Sequence, residues 1–189
     1  PEAGFLSIKP PNMINEEAAP VCGALAAWNF LKVIANIRKG QKVLIYGASG
    51  SIGSAAVQIA RIFGAEVTGV CSSSDEDFTR NGLTYDVILE LTGRLSFSHC
   101  KNSLNRNGFF LTTYPTISTL FQMLWTSMFN GKKVIFSATG LKPVSERLEF
   151  LGELIKLFKE GRLKTIIDQR FPLEKMVEAH RYVEQEHIK

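Results

Sequence analysis

The sequence predicts an α/β fold: a doubly wound, mostly parallel sheet with helices on both faces. Three observations predict it. A strand, a glycine-rich turn, a helix and a second strand follow one another within about thirty residues, between Val43 and Cys71, which is one βαβ unit. The first of these strands, Val43 to Tyr46, is continuously apolar rather than alternating, as a parallel strand covered on both faces must be. Strand and helix signals then keep alternating toward the end of the chain.

Taken in order, Phe5 to Lys9 reads as a short strand stopped by Pro10 and Pro11. Asn15 is placed to cap a helix whose first turn carries Glu16 and Glu17. Pro20 breaks that turn, and a longer apolar helix runs from about Gly23 to Ala35, ending before Gly40. After the Val43 strand the period changes. Ile52, Ala56, Ile59 and Phe63 fall at helical spacing and Gly64 ends the helix. Glu66 to Cys71 is the second strand, and Asp86 to Leu91, Gly108 to Thr112 and Lys133 to Ala138 are three more. "TISTLFQMLWTSMFNG" lies before the last of these and reads as a helix. Leu120, Leu124 and Met128 share one of its faces, with Phe121, Trp125 and Phe129 adjoining. Such a stripe is ordinarily core, though it also suits an apolar pocket wall or a subunit contact. Pro143 and Ser145 start an amphipathic helix with a core stripe of Leu148, Leu151, Ile155 and Phe158, stopped by Gly161. Thr165 to Asp168 reads as a short strand and Leu173 to Glu184 as a final helix.

Composition narrows the function classes. The chain has 189 residues, 45% hydrophobic content and a formal charge of +4. Its basic residues are scattered, so nucleic acid is not indicated as a partner, and an anionic small ligand is served equally well. The three cysteines, Cys22, Cys71 and Cys100, have no metal or redox spacing and fit a reducing compartment. With no secretory leader pattern and no apolar run near the ~20 residues needed to span a bilayer, a cytoplasmic, membrane-free protein is expected. His99, His180 and His187 lack ligand spacing, so no metal is expected.

The turn in "LIYGASGSIGSAAVQIA" carries the chemistry. It joins the carboxyl end of a strand to the amino end of a helix, where free backbone N–H groups and the helix dipole suit a pyrophosphate. Gly50 removes a side chain where backbone must approach phosphate, and Gly53 lets the helix pack close to the strand. The candidate cofactor-binding residues are Ser49, Gly50, Ser51, Ile52 and Gly53, and the competing reading is a tight turn without a ligand. No Gly-Lys-Ser/Thr follows, which rules out a Walker-type loop. Gly47, Gly50 and Gly53 are spaced three apart, whereas G-x-G-x-x-G would put its first glycine at Ala48.

G-x-x-G-x-x-G resembles two oxidoreductase families, the extended short-chain dehydrogenases and the zinc-independent, quinone-reductase-like medium-chain dehydrogenases/reductases. Short-chain enzymes carry the loop at the start of the chain and use Tyr-x-x-x-Lys; here the loop comes late, and Tyr85, Tyr114 and Tyr182 have no lysine four residues on. "NEEAAPVCGALAAWNFLK", "GQKVLIYGASGSIGSAAVQIAR", "FGAEVTGVCSS" and "YDVILELTG" are similar to the medium-chain family over almost the whole chain. Two departures stand out: Ala26 replaces the threonine of G-x-T-A, and Pro20 comes early. The resemblance implies a Rossmann domain over residues 15–189, with residues 1–14 the tail of a preceding GroES-like catalytic domain and its linker.

It also implies an oxidoreductase that passes hydride from a nicotinamide cofactor to a quinone, enone or other carbonyl, without metal. A nucleotide-binding module without catalysis is the alternative. Thr92 and Gly93 would touch the nicotinamide ribose. Thr113, Tyr114, Phe136 and Ser137, at similar strand ends, would hold the ring and its amide. An acid ending the second strand would hold the ribose hydroxyls of NAD; Ser72 and Ser73 stand there instead, favouring NADP(H), with NAD(H) as second choice. No residue reads as a catalytic acid or base. The resemblance further implies a homodimer through the edge strand 133–138.

One stretch is too short. Between Ser74 and Asp86 stands "DEDFTRNGLTY", with no helical apolar spacing and Gly82 inside it. A parallel crossover needs about ten to twelve residues including its helix. This stretch cannot hold both a crossover helix and a further strand. A segment missing near Ser74-Asp75 is expected, with a genuine deletion as the alternative.

Overall fold

The computed structural model describes residues 8–71, 77–128, 131–138, 140 and 142–184. Ser72, Ser73, the Ser74-Asp75 junction, Glu76, Phe129 and His187 lie outside the described residues, as does most of the stretch expected to form a first strand; Ile8 and Lys9 carry no strand.

Five parallel strands form one sheet. They are β1 (Lys42–Tyr46), β2 (Glu66–Val70), β3 (Tyr85–Glu90), β4 (Leu104–Thr112) and β5 (Lys133–Phe136), in the order β2-β1-β3-β4-β5. The helices are α1 (Asn15–Ala18), α2 (Val21–Trp28, continued by a π-helical Asn29–Ile34), α3 (Ser51–Ile62), α4 (Phe97–Cys100), α5 (Ile117–Met128), α6 (Val144–Lys159) and α7 (Met176–Glu184). The apolar strands explain themselves by alternation between two cores. Val43, Ile45, Val87, Leu89 and Leu111 meet α2, α3 and α6 on one face. Leu44, Ile88, Phe110 and Val134 pack on the other with Phe78, Cys100 and Met123.

Several boundaries differ from expectation. Asn15 is the first helical residue rather than the cap; Ile14 precedes α1, and its N–H donates to Glu17 Oε2 at 3.0 Å. Thr165 to Asp168 forms no strand. The segment spends its polar groups on side chains instead. Lys164 N–H and C=O both bond the Gln58 amide at 2.9 Å, and the Thr165 hydroxyl donates to Glu17 O at 2.6 Å. The buried face of α6 is Phe150, Leu154, Leu157 and Phe158, rotated from the expected stripe. Leu151 and Ile155 are half-buried against Pro10 and Leu25 around a groove of about 270 Å³. On α5 the expected core stripe faces outward: Leu124 is 67% exposed, Trp125 68% and Met128 77%. Thr119 is the buried residue of that helix.

The strand order 2-1-3-4-5 is doubly wound, and it is what the order 3-2-1-4-5-6 becomes without its strand 3 among the described residues. Among the described residues β2 is therefore an edge, and those between β2 and β3 form no α-helix but a 3₁₀ turn at Phe78–Arg80. Phe78 does what a crossover helix otherwise does for this face. It is buried between Tyr46 and Tyr85, with ring centroids 6.1 and 6.4 Å away. The Asp77 side chain caps the turn by accepting from Thr79 N–H at 3.0 Å. Phe78→Ala should cost about 3 kcal/mol or more, read as a lowered midpoint in urea unfolding; a midpoint equal to the parent's would show that the ring covers nothing of consequence.

Candidate functional site

The glycine-rich turn is shaped by close backbone contacts. Gly47 has φ +95°, and the N–H groups of Gly47 and Ala48 both donate to Val70 O, at 2.9 and 3.0 Å. A Cβ on Gly53 would lie 2.0 Å from Gly47 O and 2.7 Å from Ala48 Cα, so α3 seats on the turn only because residue 53 has no side chain. Gly50 differs: a Cβ there would meet only Gly47 O, at 3.6 Å. Gly50 precedes α3 in extended conformation, and the first helical bond is Ser54 N–H to Gly50 O at 2.8 Å. The N–H groups of Ser51, Ile52 and Gly53 thus have no acceptor within the helix. They open on a cleft of about 370 Å³ lined by Gly47, Ser49 to Gly53, Leu91, Thr92, Arg94 and Val183. An anion with oxygens to share suits this place, where helix dipole and unpaired donors coincide. The space beside Gly50, which a side chain would fill, is what a pyrophosphate needs.

One row of residues crosses the sheet at its carboxyl edge. Val70, Tyr46, Glu90, Thr112 and Phe136 are paired in register, one from each strand. Glu90 is 1% exposed and its carboxyl group meets four donors. Oε1 accepts from Thr92 N–H at 2.7 Å, Thr92 Oγ1 at 2.8 Å and Gly93 N–H at 2.8 Å; Oε2 accepts from Thr112 Oγ1 at 3.2 Å. Thr112 Oγ1 in turn accepts from Tyr114 N–H at 3.1 Å. The turns after β3 and β4 are both tied to this one carboxylate. A Cβ on Gly93, which has φ +76°, would press on the Tyr114 ring, 3.3 Å from its Cγ.

The cleft brings together Ser49, Gly50, Ser51, Ile52, Gly53 and Thr92 of the expected residues. Gly93 adjoins it through Glu90. Thr113, Tyr114, Phe136 and Ser137 stand along the same carboxyl edge but outside the cleft. Ser137 N–H donates to Thr112 O at 3.4 Å, and Ser137 Oγ accepts from the buried Asn29 amide at 3.0 Å. Sequence reasoning missed Glu90, Leu91, Arg94 and Val183. An acid inside an otherwise apolar parallel strand is a signal that could have found Glu90; Val183 is brought in by α7 from far along the chain. His99 belongs to α4 and is exposed, its Nε2 3.6 Å from Asp77 Oδ1. Burial pushes the Cys100 thiol up to about 12, which leaves it inert as a nucleophile.

The profile of the zinc-binding dehydrogenase family matches residues 64–189. The chain is 28% identical over 207 aligned residues to the chloroplast envelope quinone oxidoreductase homolog of Arabidopsis thaliana, covering 92% of this chain and 60% of that protein. The aligned length exceeds the 189 residues of the chain, so the relative carries residues that this chain lacks. Among solved structures, the apo JamJ enoyl reductase superposes with a TM-score of 0.83 at 23% identity, over 98% of this chain and 64% of that one. The Escherichia coli quinone oxidoreductase complexed with NADPH superposes with a TM-score of 0.78 at 21% identity, over 95% and 65%. The family's description names zinc. Among the described residues no three His, Cys, Asp or Glu side chains converge as a metal-holding group, so they do not assemble a zinc donor set.

Two glycines separate fold from ligand. Gly50→Val should leave the far-UV circular dichroism and thermal midpoint near the parent's while removing dinucleotide binding in a fluorescence titration. Gly53→Ala should instead cost about 3 kcal/mol or more, because backbone must move. Unchanged binding in a folded Gly50→Val chain would refute the assignment of the cleft.

Proposed function

The chain belongs to the zinc-binding dehydrogenase family, in the quinone-oxidoreductase-like part of the medium-chain dehydrogenase/reductase superfamily, and on that premise we propose that it holds a nicotinamide dinucleotide for hydride transfer to a quinone, enone or other carbonyl acceptor. The observation that carries the reading is the open amino end of α3, with Gly50 facing a cleft at the carboxyl edge of a parallel sheet. The three N–H groups of Ser51, Ile52 and Gly53 would hold the pyrophosphate. Thr92 and Gly93 would hold the nicotinamide ribose, and Thr113, Tyr114, Phe136 and Ser137 the ring and its amide. When bound, the reduced cofactor supplies a hydride to an electron-poor carbon; a proton from solvent or from another part of the protein completes the reduction. The part played by this chain is orientation and electrostatic support.

The serines that follow Cys71 favour NADP(H), since hydroxyls donate to a 2′-phosphate and oppose it with no charge. The chain spans about 60% of the curated relative's length, and a GroES-like domain before it would complete the enzyme. A second reading has its own support. The described residues lining the cleft offer backbone donors, hydroxyls and one guanidinium, but no carboxylate, imidazole or thiol, which suits a binding module. Turnover separates the two. The full-length protein should oxidise NADPH with a quinone or enone and be inhibited more strongly by 2′,5′-ADP than by AMP. Tight cofactor binding without turnover across a broad acceptor panel would favour the module. Activity lost to a chelator and restored by zinc would reject the metal-free reaction.

The assembly we propose is a homodimer through β5. It pairs only with β4 among the described residues; its Val134 N–H donates to Thr126 Oγ1 of α5 at 3.2 Å, and α5 carries the exposed Leu120, Leu124 and Met128. Edge backbone and adjoining apolar surface together favour a second copy. Light scattering at micromolar concentration should give a dimer, and Leu124→Glu should shift it to monomer; a monomeric parent chain would overturn the proposal.

A further inference from the structure

Glu90 is given no part in the chemistry proposed above, yet it is the one buried charged side chain among the described residues. Its burial is offset by hydrogen bonds alone. Two backbone N–H groups and two hydroxyls face it, and among the described residues no Lys, Arg or His forms an ion pair with it. Two backbone N–H donors and two hydroxyls on its oxygens are an environment that favours a carboxylate over the neutral acid. Hydrogen-bond donors satisfy its lone pairs without supplying a full opposite charge. Its field therefore extends further than that of an ion pair, through surroundings of low dielectric.

The position of this charge is specific. Glu90 ends the central strand of the row at the carboxyl edge, between Tyr46 and Thr112. It fixes the turn at Thr92 and Gly93 directly, and the one at Tyr114 through Thr112. These are the turns that would hold the nicotinamide end of the cofactor. A nicotinamide ring is neutral when reduced and carries a positive charge when oxidised, so a fixed negative charge behind the turns that would hold it would treat the two forms differently.

We infer that Glu90 biases the site toward the oxidised, cationic form of the nicotinamide cofactor, and so makes the bound reduced form a readier hydride donor. The inference rests on the cofactor reading above. Glu90 acts as a positioning residue for both turns and adds a charge effect that positioning alone does not give.

The test compares dissociation constants for NADP⁺ and NADPH, by calorimetry and by fluorescence, in the parent protein, Glu90→Gln and Glu90→Asp. Glutamine keeps the shape: its Oε1 can accept the same three donors, and its amide can donate to Thr112 Oγ1. Glu90→Gln should weaken NADP⁺ more than NADPH, changing the ratio of the two constants by roughly threefold or more. Glu90→Asp keeps the charge and should keep the parent ratio, even if both forms bind more weakly. Glu90→Met, also neutral, carries the same expectation if the glutamine chain does not fold. Equal weakening of both forms in the neutral variants would overturn the charge effect while leaving the cofactor reading in place. A parent protein that binds neither form would overturn both.

Discussion

The close seating of α3 on the turn after β1 is the constraint on which the site depends. Gly53 has no room for a side chain, because Gly47 O and Ala48 Cα already occupy the place of its Cβ. That contact sets the helix axis against the strand. It leaves the N–H groups of the first helical turn pointing into the cleft instead of at a neighbouring side chain. The turn is held from the other side by Val70, whose carbonyl accepts from both Gly47 and Ala48. Gly69 takes part as well: a Cβ there would stand 3.0 Å from Ala48 Cβ. A residue larger than alanine at position 48 would therefore press on β2. The variant spacing of the glycines is thus a consistent solution, with glycine moved from the turn to the facing strand.

β3 is the organising strand of the sheet, and its two acids work at opposite ends. Asp86, near the amino end, accepts from Lys42 N–H at 2.8 Å and from the Asn105 amide at 2.7 Å, and so ties β1 and β4 to β3. Glu90, at the carboxyl end, ties the two following turns together. The first is half-buried and lies at the less functional edge. The second is buried where ligands of open parallel sheets bind. The same residue class serves register at one end and site geometry at the other, and burial makes the difference.

The passage from β2 to β3 holds no α-helix among the described residues. A full crossover would place a helix and a further strand there. The described part of the passage keeps the second core closed with one aromatic side chain, Phe78, and a capped 3₁₀ turn. β2 is consequently left as an edge. On the far side of the sheet β5 is the other edge, and the apolar side chains of α5 stand next to it. Both edges are short, which limits unwanted pairing.

The sequence by itself determined the elements that follow from local rules. A short, continuously apolar run reads as a doubly covered strand, a glycine after the helical period reads as the end of α3, and glycines spaced three apart between strand and helix read as a tight turn open to an anion. These hold because each rests on neighbours within a few residues. Tertiary structure decided what depends on distant partners. Thr165 to Asp168 has strand-like residues, but Gln58 takes the polar groups of Lys164 just before it, Glu17 O takes the Thr165 hydroxyl, and no strand pairs with it among the described residues. The apolar stripe of α5 has the spacing of a core helix, but hydrophobic periodicity says only that a face seeks cover, and in the structure Leu120, Leu124 and Met128 stand exposed. Glu90 looks like an interruption in a core strand until Thr92, Gly93 and Thr112 are seen around it. A buried charge is stable only with its partners, and those partners are brought together by the sheet.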